Sequence, residues 1–438
     1  MRWQSSEVAR ATGGEMVGPD VEVDGAAIDS RRVSGGELFV PLVSRRDGHD
    51  FIPAALAAGS PAYLTSRRPE GATAVVVSDT LGALADLGRR ARSRLPDRVV
   101  GVTGSVGKTS VKDLLTAALA TRWATAASAG SFNNELGLPL TLVNAPEGTE
   151  AVVAEMGARA VGDLRLLCSI ARPTVGVVTS VGLVHTETFG TVEQVARAKA
   201  ELVEALPSSG TAVLNADDSW VAAMAAATSA SVLRFGSAGA DVSATEVTVD
   251  AELRAAFRWR APWGDADVRR AARGRHQVAN ALAAAGAALV CDVAPDQVAA
   301  GLGQASMSPW RMALVRSASG ARILNDAYNA NPLSVAMALR ALAELDATRR
   351  IAVLGTMAEL GEVSGREHQA VVALASELGI RVVAVGEPAY GCEVVGDADE
   401  ALAALGPLAE GDAVLVKGSR VAGLERLAAR LAGDQPEG

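Results

Sequence analysis

The chain has 438 residues, 49% of them apolar, with 41 basic and 50 acidic side chains and a net charge of −9. That length holds about three domains with cores of their own, and the acidic balance excludes a general nucleic-acid binder, whose surface carries a basic stripe. The longest uncharged apolar stretch, 279–291, is shorter than the roughly 18–20 residues of a bilayer crossing, so no membrane insertion is expected.

The first block, 1–97, carries short alternating runs at 21–28, 37–43 and 72–77 and one arginine-rich amphipathic helix at 81–95. Glu7, Glu15 and Asp20 interrupt any export signal. Pro96-Asp97 reads as a linker. The second block opens with a buried-strand run at 98–102, a glycine-rich turn and a helix at 110–120. Apolar runs follow at 150–155, 174–180 and 210–215 with helical stretches between them, and 277–290 reads as a buried helix. Strands alternating with helices at this spacing predict a parallel, doubly wound sheet. Ser308-Pro309 breaks the pattern, and a third block from Arg311 repeats strand–helix units: 321–326 with 332–345, 350–354 with 364–378, 380–385, and 413–416 with 421–431. It reads as a second, smaller Rossmann-like domain. Cys168, Cys291 and Cys392 lie far apart, which fits a reducing, cytoplasmic setting and supplies no metal set.

The sharpest motif is Thr103-Gly104-Ser105-Val106-Gly107-Lys108-Thr109-Ser110, at a strand-to-helix turn. Backbone N–H groups of such a loop bind phosphate oxygens, Lys108 reaches the β- and γ-phosphates, and the Thr109 hydroxyl holds Mg²⁺. Val102 stands where the strict P-loop pattern has its first glycine, leaving a shorter variant. Glu155 ends the run 151–155, so its carboxylate is placed for a metal contact, and His185 follows the run 174–180.

Only four of the 41 basic residues are lysine: Lys108, Lys112, Lys199 and Lys417. Since arginine serves wherever a solvated charge suffices, each remaining lysine is a candidate for a position that needs an ammonium or a free amine. Lys199 lies two turns into a helix opened by the Thr191-x-x-Gln194 box. An ion pair with Glu201 does not explain it, because residues two apart on a helix face different ways. His276 sits beside a nucleotide motif, and His368 follows Ser364-x-x-Glu367 on what reads as a surface helix. The cysteines, and the tryptophans other than Trp310, read as packing.

The set at 103–110, 131–141 (SFNNELGLPLT), 154–158 (AEMGA), His185-x-Glu187 with Lys199, 274–282 (GRHQVANAL) and 309–312 (PWRM) resembles the Mur ligases. These are ATP-dependent amide-forming enzymes of peptidoglycan precursor synthesis. The stretches 325–332 (NDAYNANP), 353–361 (VLGTMAELG) and 416–420 (VKGSR), with 28–31 (IDSR) and 47–51 (DGHDF), are similar to the member that adds D-alanyl-D-alanine to a UDP-N-acetylmuramoyl-tripeptide. The resemblance runs over essentially the whole chain.

It implies a three-domain α/β fold: a small mixed α/β UDP-sugar-binding domain at 1–97, a central P-loop parallel-sheet ATPase domain at 98–310, and a C-terminal Rossmann-like domain at 311–438 that binds the dipeptide. It implies chemistry by Lys108, Glu155, His185 and Lys199, with one Mg²⁺ near Thr109 and Glu155 and a second near His185 and a carbamylated Lys199. ATP would lie on Gly104–Ser110, with Asn280 at adenine, Arg311 near the γ-phosphate or the ribose, and Asp326, Tyr328 and Asn329 facing it from the third domain. Ser30, Arg31, Asn133 and Asn134 would hold the UDP-muramoyl substrate, and Lys417 and Arg420 the dipeptide carboxylate. The resemblance further implies a cytoplasmic monomer. Ala313 and Thr356 depart from the family pattern outside the phosphate chemistry. Rival readings are another amide ligase of the same fold, of folylpolyglutamate or cyanophycin type, and a non-catalytic paralogue that binds the muramoyl precursor.

Overall fold

A computed structural model describes residues 1–130, 132–184, 186–237, 239–269 and 272–433. Three sheets of five, nine and six strands organise three domains, and Arg2–Gln4 pairs antiparallel with Glu22–Asp24 in a separate two-stranded sheet. In the first, Ala26–Ala27, Leu38–Phe39, Ala62–Thr65 and Thr73–Val76 run parallel, and Glu15–Val17 joins the edge antiparallel. The helix Thr80–Arg92 starts at Asp79, whose carboxylate accepts from the Leu81 and Gly82 N–H groups. Its last turn carries Arg89, Arg90 and Arg92, favourable at the negative end of the helix dipole. Arg92 is buried and donates to the Ala171 carbonyl at 2.7 Å, which ties this helix to the second domain.

The second sheet has nine strands. Thr125–Ala127, Ala151–Glu155, Val99–Thr103, Val175–Val178, Thr211–Asn215, Ser231–Gly236 and Val242–Val249 lie side by side in parallel. These seven strands are the parallel sheet expected from the sequence, and an antiparallel ribbon extends it: Ala255–Ala261 pairs antiparallel with Val242–Val249, and Gly264–Val268 antiparallel with it. The reason is one-sided burial. Phe257 and Trp259 point into the core while Arg258 and Arg260, each one position further on, do not, the alternation of an antiparallel ribbon with one wet face.

The helix Lys108–Ala120 lies against this sheet through Val111, Leu114, Leu115 and Ala118, sharing one core with Ala281, Ala284, Ala285 and Ala288 of Gln277–Val290. The alanine-rich face lets the two helices approach closely. Asp163–Ala171 covers the other face, with Leu164, Leu167 and Ile170 in one core with Val152 and Ala154. Val99–Thr103 has Ala151–Glu155 on one side and Val175–Val178 on the other, so chain order reverses at this strand. The crevice beyond its carboxyl end is where such sheets hold ligands.

The third sheet runs Ala313–Arg316, Arg322–Asn325, Asp412–Lys417, Arg349–Gly355, Arg381–Val385 and Glu393–Val395, parallel except for the first pair. Pro332–Glu344 and Ser364–Glu377 pack on one face, Ala398–Leu405 and Glu425–Ala432 on the other.

Two surface expectations are corrected. His368 is fully buried on Ser364–Glu377, in line with Val371 and Ala375 at helical spacing. Trp220 and Trp263, expected to pack, are 40% and 49% exposed, whereas Trp3 and Trp259 are core residues. Among the described residues, no helix is long and apolar enough to cross a membrane.

Candidate active site

Val99–Thr103 runs directly into the glycine loop, and Lys108–Ala120 leaves it without a side-chain cap. Its first-turn N–H groups are therefore left for an anion to meet. Gly104 has φ +150° and Gly107 φ +87°. A Cβ at Gly104 would come within 1.8 Å of Thr179 Oγ1, and one at Gly107 within 2.4 Å of Asn280 Oδ1, so neither position tolerates a side chain. The loop is sewn to the segment after Val175–Val178: Ser105 N–H donates to the Ser180 carbonyl at 2.8 Å and Val106 N–H to Ser180 Oγ at 3.1 Å. Thr179 and Ser180 escaped the sequence reading, although their place at the end of a buried strand beside the loop was the available signal.

Lys108 Nζ donates to the Gly104 carbonyl at 2.8 Å. Burial pushes its pKa below the lysine range and the Arg311 charge adds to this, while the Glu155 carboxylate opposes it.

Glu155, 1% exposed, ends Ala151–Glu155 beside Val102. Its Oε1 accepts from Asn133 Nδ2 at 2.9 Å, while its Oε2 is buried with no hydrogen-bond partner. A buried carboxylate oxygen lacking a donor is unfavourable unless a cation meets it. Asn134 uses its Oδ1 to accept from the Gly137 N–H at 3.0 Å, fixing the entry to the helix Gly137–Val143.

Lys199 is 2% exposed on Val192–Glu204, a helix capped by Thr191. Burial holds its amine well below the usual lysine pKa, and the Lys108 charge lowers it further. Glu201 does turn elsewhere, accepting from the Gly162 N–H at 2.7 Å and the Arg165 N–H at 3.1 Å. His185 lies outside the described residues.

The third domain closes the site. Arg311 sits between Trp310 and Met312, both non-glycine residues with left-handed φ of 58° and 54°. Such backbone is strained and gathers where a side chain must be aimed. Arg311 donates from Nη2 to Thr109 Oγ1 at 3.0 Å, its guanidinium lies 4.1 Å from the Tyr328 ring centre, and its Nε is buried without a partner. Asp326 Oδ1 accepts from the Met312 N–H at 3.1 Å.

Lys417, foreseen as a holder of the dipeptide carboxylate, here donates to Asp326 Oδ2 at 2.5 Å and the Asn329 carbonyl at 2.9 Å. In this conformation its charge positions Asp326. Arg420 lies 4.5 Å over the Trp310 ring, with Nη1 3.1 Å from Glu425 Oε1. Asn280 Nδ2 donates to Gln277 Oε1 at 2.7 Å. Burial lowers the His276 pKa to about 4, with the Asp326 charge opposing and that of Lys417 assisting.

One cavity of ≈ 800 Å³ joins these pieces, a size that takes a nucleotide and part of a second substrate. Gly104–Ser110, Asn133, Asn134, Glu155, Lys199, Asn280, Arg311, Asp326, Tyr328, Asn329, Lys417 and Arg420 all line it. Ser30 and Arg31 do not. Arg31 is exposed and grips Asp29 at 2.7 and 2.9 Å, which holds that carboxyl down to about 2. The adjacent Arg32 instead lies 5.6 Å over the Phe132 ring, beside Asn133.

Residues 102–288 match the model of the Mur ligase middle domain, and 310–420 that of the Mur ligase, glutamate ligase domain. The chain is 41% identical to UDP-N-acetylmuramoyl-tripeptide--D-alanyl-D-alanine ligase of Mycobacterium tuberculosis, over 93% of this chain and 91% of that one. A crystal structure of MurF from Acinetobacter baumannii superposes with a TM-score of 0.90 at 31% identity, covering 99% of both chains. MurF ligase from Thermotoga maritima in complex with ADP superposes at 0.83 with 28% identity, covering 94% of this chain and 98% of that one.

Proposed function

This chain belongs to the Mur ligase family, and from that premise we infer that it joins D-alanyl-D-alanine to UDP-N-acetylmuramoyl-tripeptide with ATP, in peptidoglycan precursor synthesis. The observation that carries the mechanism is the meeting in one cavity of the glycine loop, the orphaned Glu155 oxygen and the buried Lys199 amine.

The reaction proceeds in two steps. The tripeptide carboxylate attacks the γ-phosphorus of ATP, giving an acyl phosphate and ADP. The dipeptide amine then attacks the acyl carbon, a C–N bond forms as phosphate leaves, and the amine gives up a proton. The carboxylate and the triphosphate repel each other, so the first step needs fixed positive charge. Lys108 and Arg311, both lining the cavity, supply it. The first-turn N–H groups of Lys108–Ala120 cradle the phosphates, Asn280 and Tyr328 hold the nucleoside, and Asn133 and Asn134 orient the acceptor beside Glu155.

Thr109 and the unpartnered Glu155 oxygen would hold one Mg²⁺, and Lys199 would hold a second, to which the resemblance also assigns His185. Bound there, the ions neutralise phosphate charge. Lys199 serves as a carbamate: the free-base form of its amine, which burial favours, takes up CO₂ and releases a proton, turning a buried base into an anionic ligand. A guanidinium has no such chemistry, which accounts for a lysine here in an arginine-rich chain. The segments 1–97, 98–310 and 311–438 are assigned to UDP-sugar binding, ATP chemistry and the dipeptide.

Phosphate release, measured with ATP and UDP-muramoyl-tripeptide, with and without D-alanyl-D-alanine, tests this reading. Tripeptide-dependent phosphate release and dipeptide-dependent amide formation are expected. Rapid ATP hydrolysis with neither substrate would overturn it.

A further inference from the structure

The segment 355–361 follows the strand Arg349–Gly355 and is held by backbone contacts on both flanks. From beneath, the Met357 N–H donates to His368 Nε2 at 3.0 Å, and Tyr390 Oη donates to the Gly355 carbonyl at 3.0 Å. The His368 ring meets Tyr390 edge-on, with centres 4.6 Å apart. His368 Nδ1 lies 2.7 Å from the Ser364 carbonyl, which fixes the Nδ1–H tautomer and leaves Nε2 as the acceptor. From the side, Ser419 accepts the Ala358 N–H on its Oγ at 2.9 Å and gives its own N–H to the Thr356 carbonyl at 2.9 Å.

What the segment presents is two carbonyls. Glu359 has φ +64°, a left-handed conformation that a non-glycine residue adopts only under constraint. Past this twist, the Leu360 carbonyl receives Thr186 Oγ1 at 2.7 Å, and the Glu359 carbonyl receives the Glu187 N–H at 3.3 Å. Thr186 and Glu187 open the short helix Thr186–Phe189 of the central domain, and Glu359 and Leu360 line the cavity.

We propose that residues 355–361 form an interdomain clasp whose grip on Thr186 keeps the closed cavity dry during the life of the acyl phosphate, and that His368 is the positioning residue that sets it. The inference rests on the ligase reading above. His368 is not among the residues that line the cavity; it acts through the Met357 N–H. A slack clasp leaves closure incomplete, and water then competes with the dipeptide amine for the acyl carbon.

The test is the ratio of phosphate released to amide formed, measured in one reaction of the full chain with ATP, UDP-muramoyl-tripeptide and D-alanyl-D-alanine. Wild type is expected to give about one. Thr186→Val, which keeps shape and loses the donor, and His368→Leu are expected to raise the ratio about twofold or more, with the KM for ATP unchanged. His368→Gln, which keeps an acceptor for the Met357 N–H, is expected to bring the ratio back toward one. The Thr186→Val/His368→Leu pair should be no worse than the worse single variant, since both loosen one contact. A ratio of one in Thr186→Val overturns the clasp, whether or not His368→Leu folds. A wild type that forms no dipeptide-dependent amide overturns instead the ligase reading.

Discussion

The Arg311 guanidinium bridges two domains: its Nη2 lies 3.0 Å from the Thr109 hydroxyl while its face rests 4.1 Å from the Tyr328 ring centre. A planar cation can stack and donate at once, and a lysine ammonium cannot. Arg311→Lys is therefore expected to lower kcat/KM for ATP by about 10–100-fold, the loss of one charge-assisted hydrogen bond, without a change in Tm. Steady-state kinetics over ATP concentration checks this; a change within about twofold would reject it.

Lys199 carries two opposed expectations. If the amine becomes an anionic carbamate, Lys199→Arg reverses the charge beside the phosphates, and turnover should fall by about a thousandfold, the equivalent of roughly 4 kcal/mol. Short-chain carboxylates should partly rescue Lys199→Ala but not Lys108→Ala. Stability moves the other way. Below the ordinary lysine pKa the unfolded chain binds this proton more readily than the buried amine does, so Lys199 lowers stability at neutral pH, and the penalty fades as pH climbs toward 10.5. In bicarbonate-free buffer, Lys199→Met should melt higher than wild type at pH 7, with the gap narrowing at higher pH.

Glu155→Gln preserves an oxygen for Asn133 Nδ2 and removes the charge behind the unpartnered Oε2. Turnover should fall by about a hundredfold or more, and half-maximal activity should need about tenfold more Mg²⁺. Magnesium titration of both proteins measures this, and identical Mg²⁺ dependence would remove Glu155 from the metal.

Lys112 is the lysine without a part in the chemistry. It is 4% exposed and donates to the Ser128 carbonyl at 3.1 Å and the Gly130 carbonyl at 3.0 Å, tying Lys108–Ala120 to the loop that leads to Asn133. A guanidinium overfills that space, so Lys112→Arg should destabilise by about 1–3 kcal/mol in chemical denaturation. A neutral effect would mean that the loop yields freely.

His276 sets an acid limit. Its folded pKa of about 4 lies below the ordinary 6.5, so between those values the unfolded chain takes a proton that the folded ring does not, and stability falls as pH drops. Above about pH 6.5 the residue contributes no pH dependence. His276→Gln should flatten the stability curve between pH 6.5 and 4 in thermal melts; an unchanged slope would shift the cause to other groups.

Much of this was legible in order along the chain. The helix Gln277–Val290 matches its predicted range, and Pro332 opens its helix as read, because proline at a helix start acts locally; Ser364 is the first residue of Ser364–Glu377, but its hydroxyl caps no N–H and lies 3.2 Å from His368 Nδ1 instead. The ribbon from Val242 to Val268 was missed: its alternation of Phe257 and Trp259 with arginines was present, but a buried parallel core drew the reading toward continuous apolar runs. His368 was placed on the surface from its neighbours, although its spacing to Val371 and Ala375 put it on the buried face. The meeting of Thr109 with Arg311, separated by 202 positions, depends on how two domains close. No local rule reports that.

The scarcity and placement of lysine also make the chain its own occupancy sensor. Lys112, Lys199 and Lys417 are buried and Lys108 is half-buried at the cavity floor, while the basic surface is arginine. An acylating reagent directed at amines, which would carpet an ordinary protein, finds on this one no lysine in the open. Its reaction at Lys108 becomes a footprint of the nucleotide, and mass spectrometry can read the filling of the site from a single peptide.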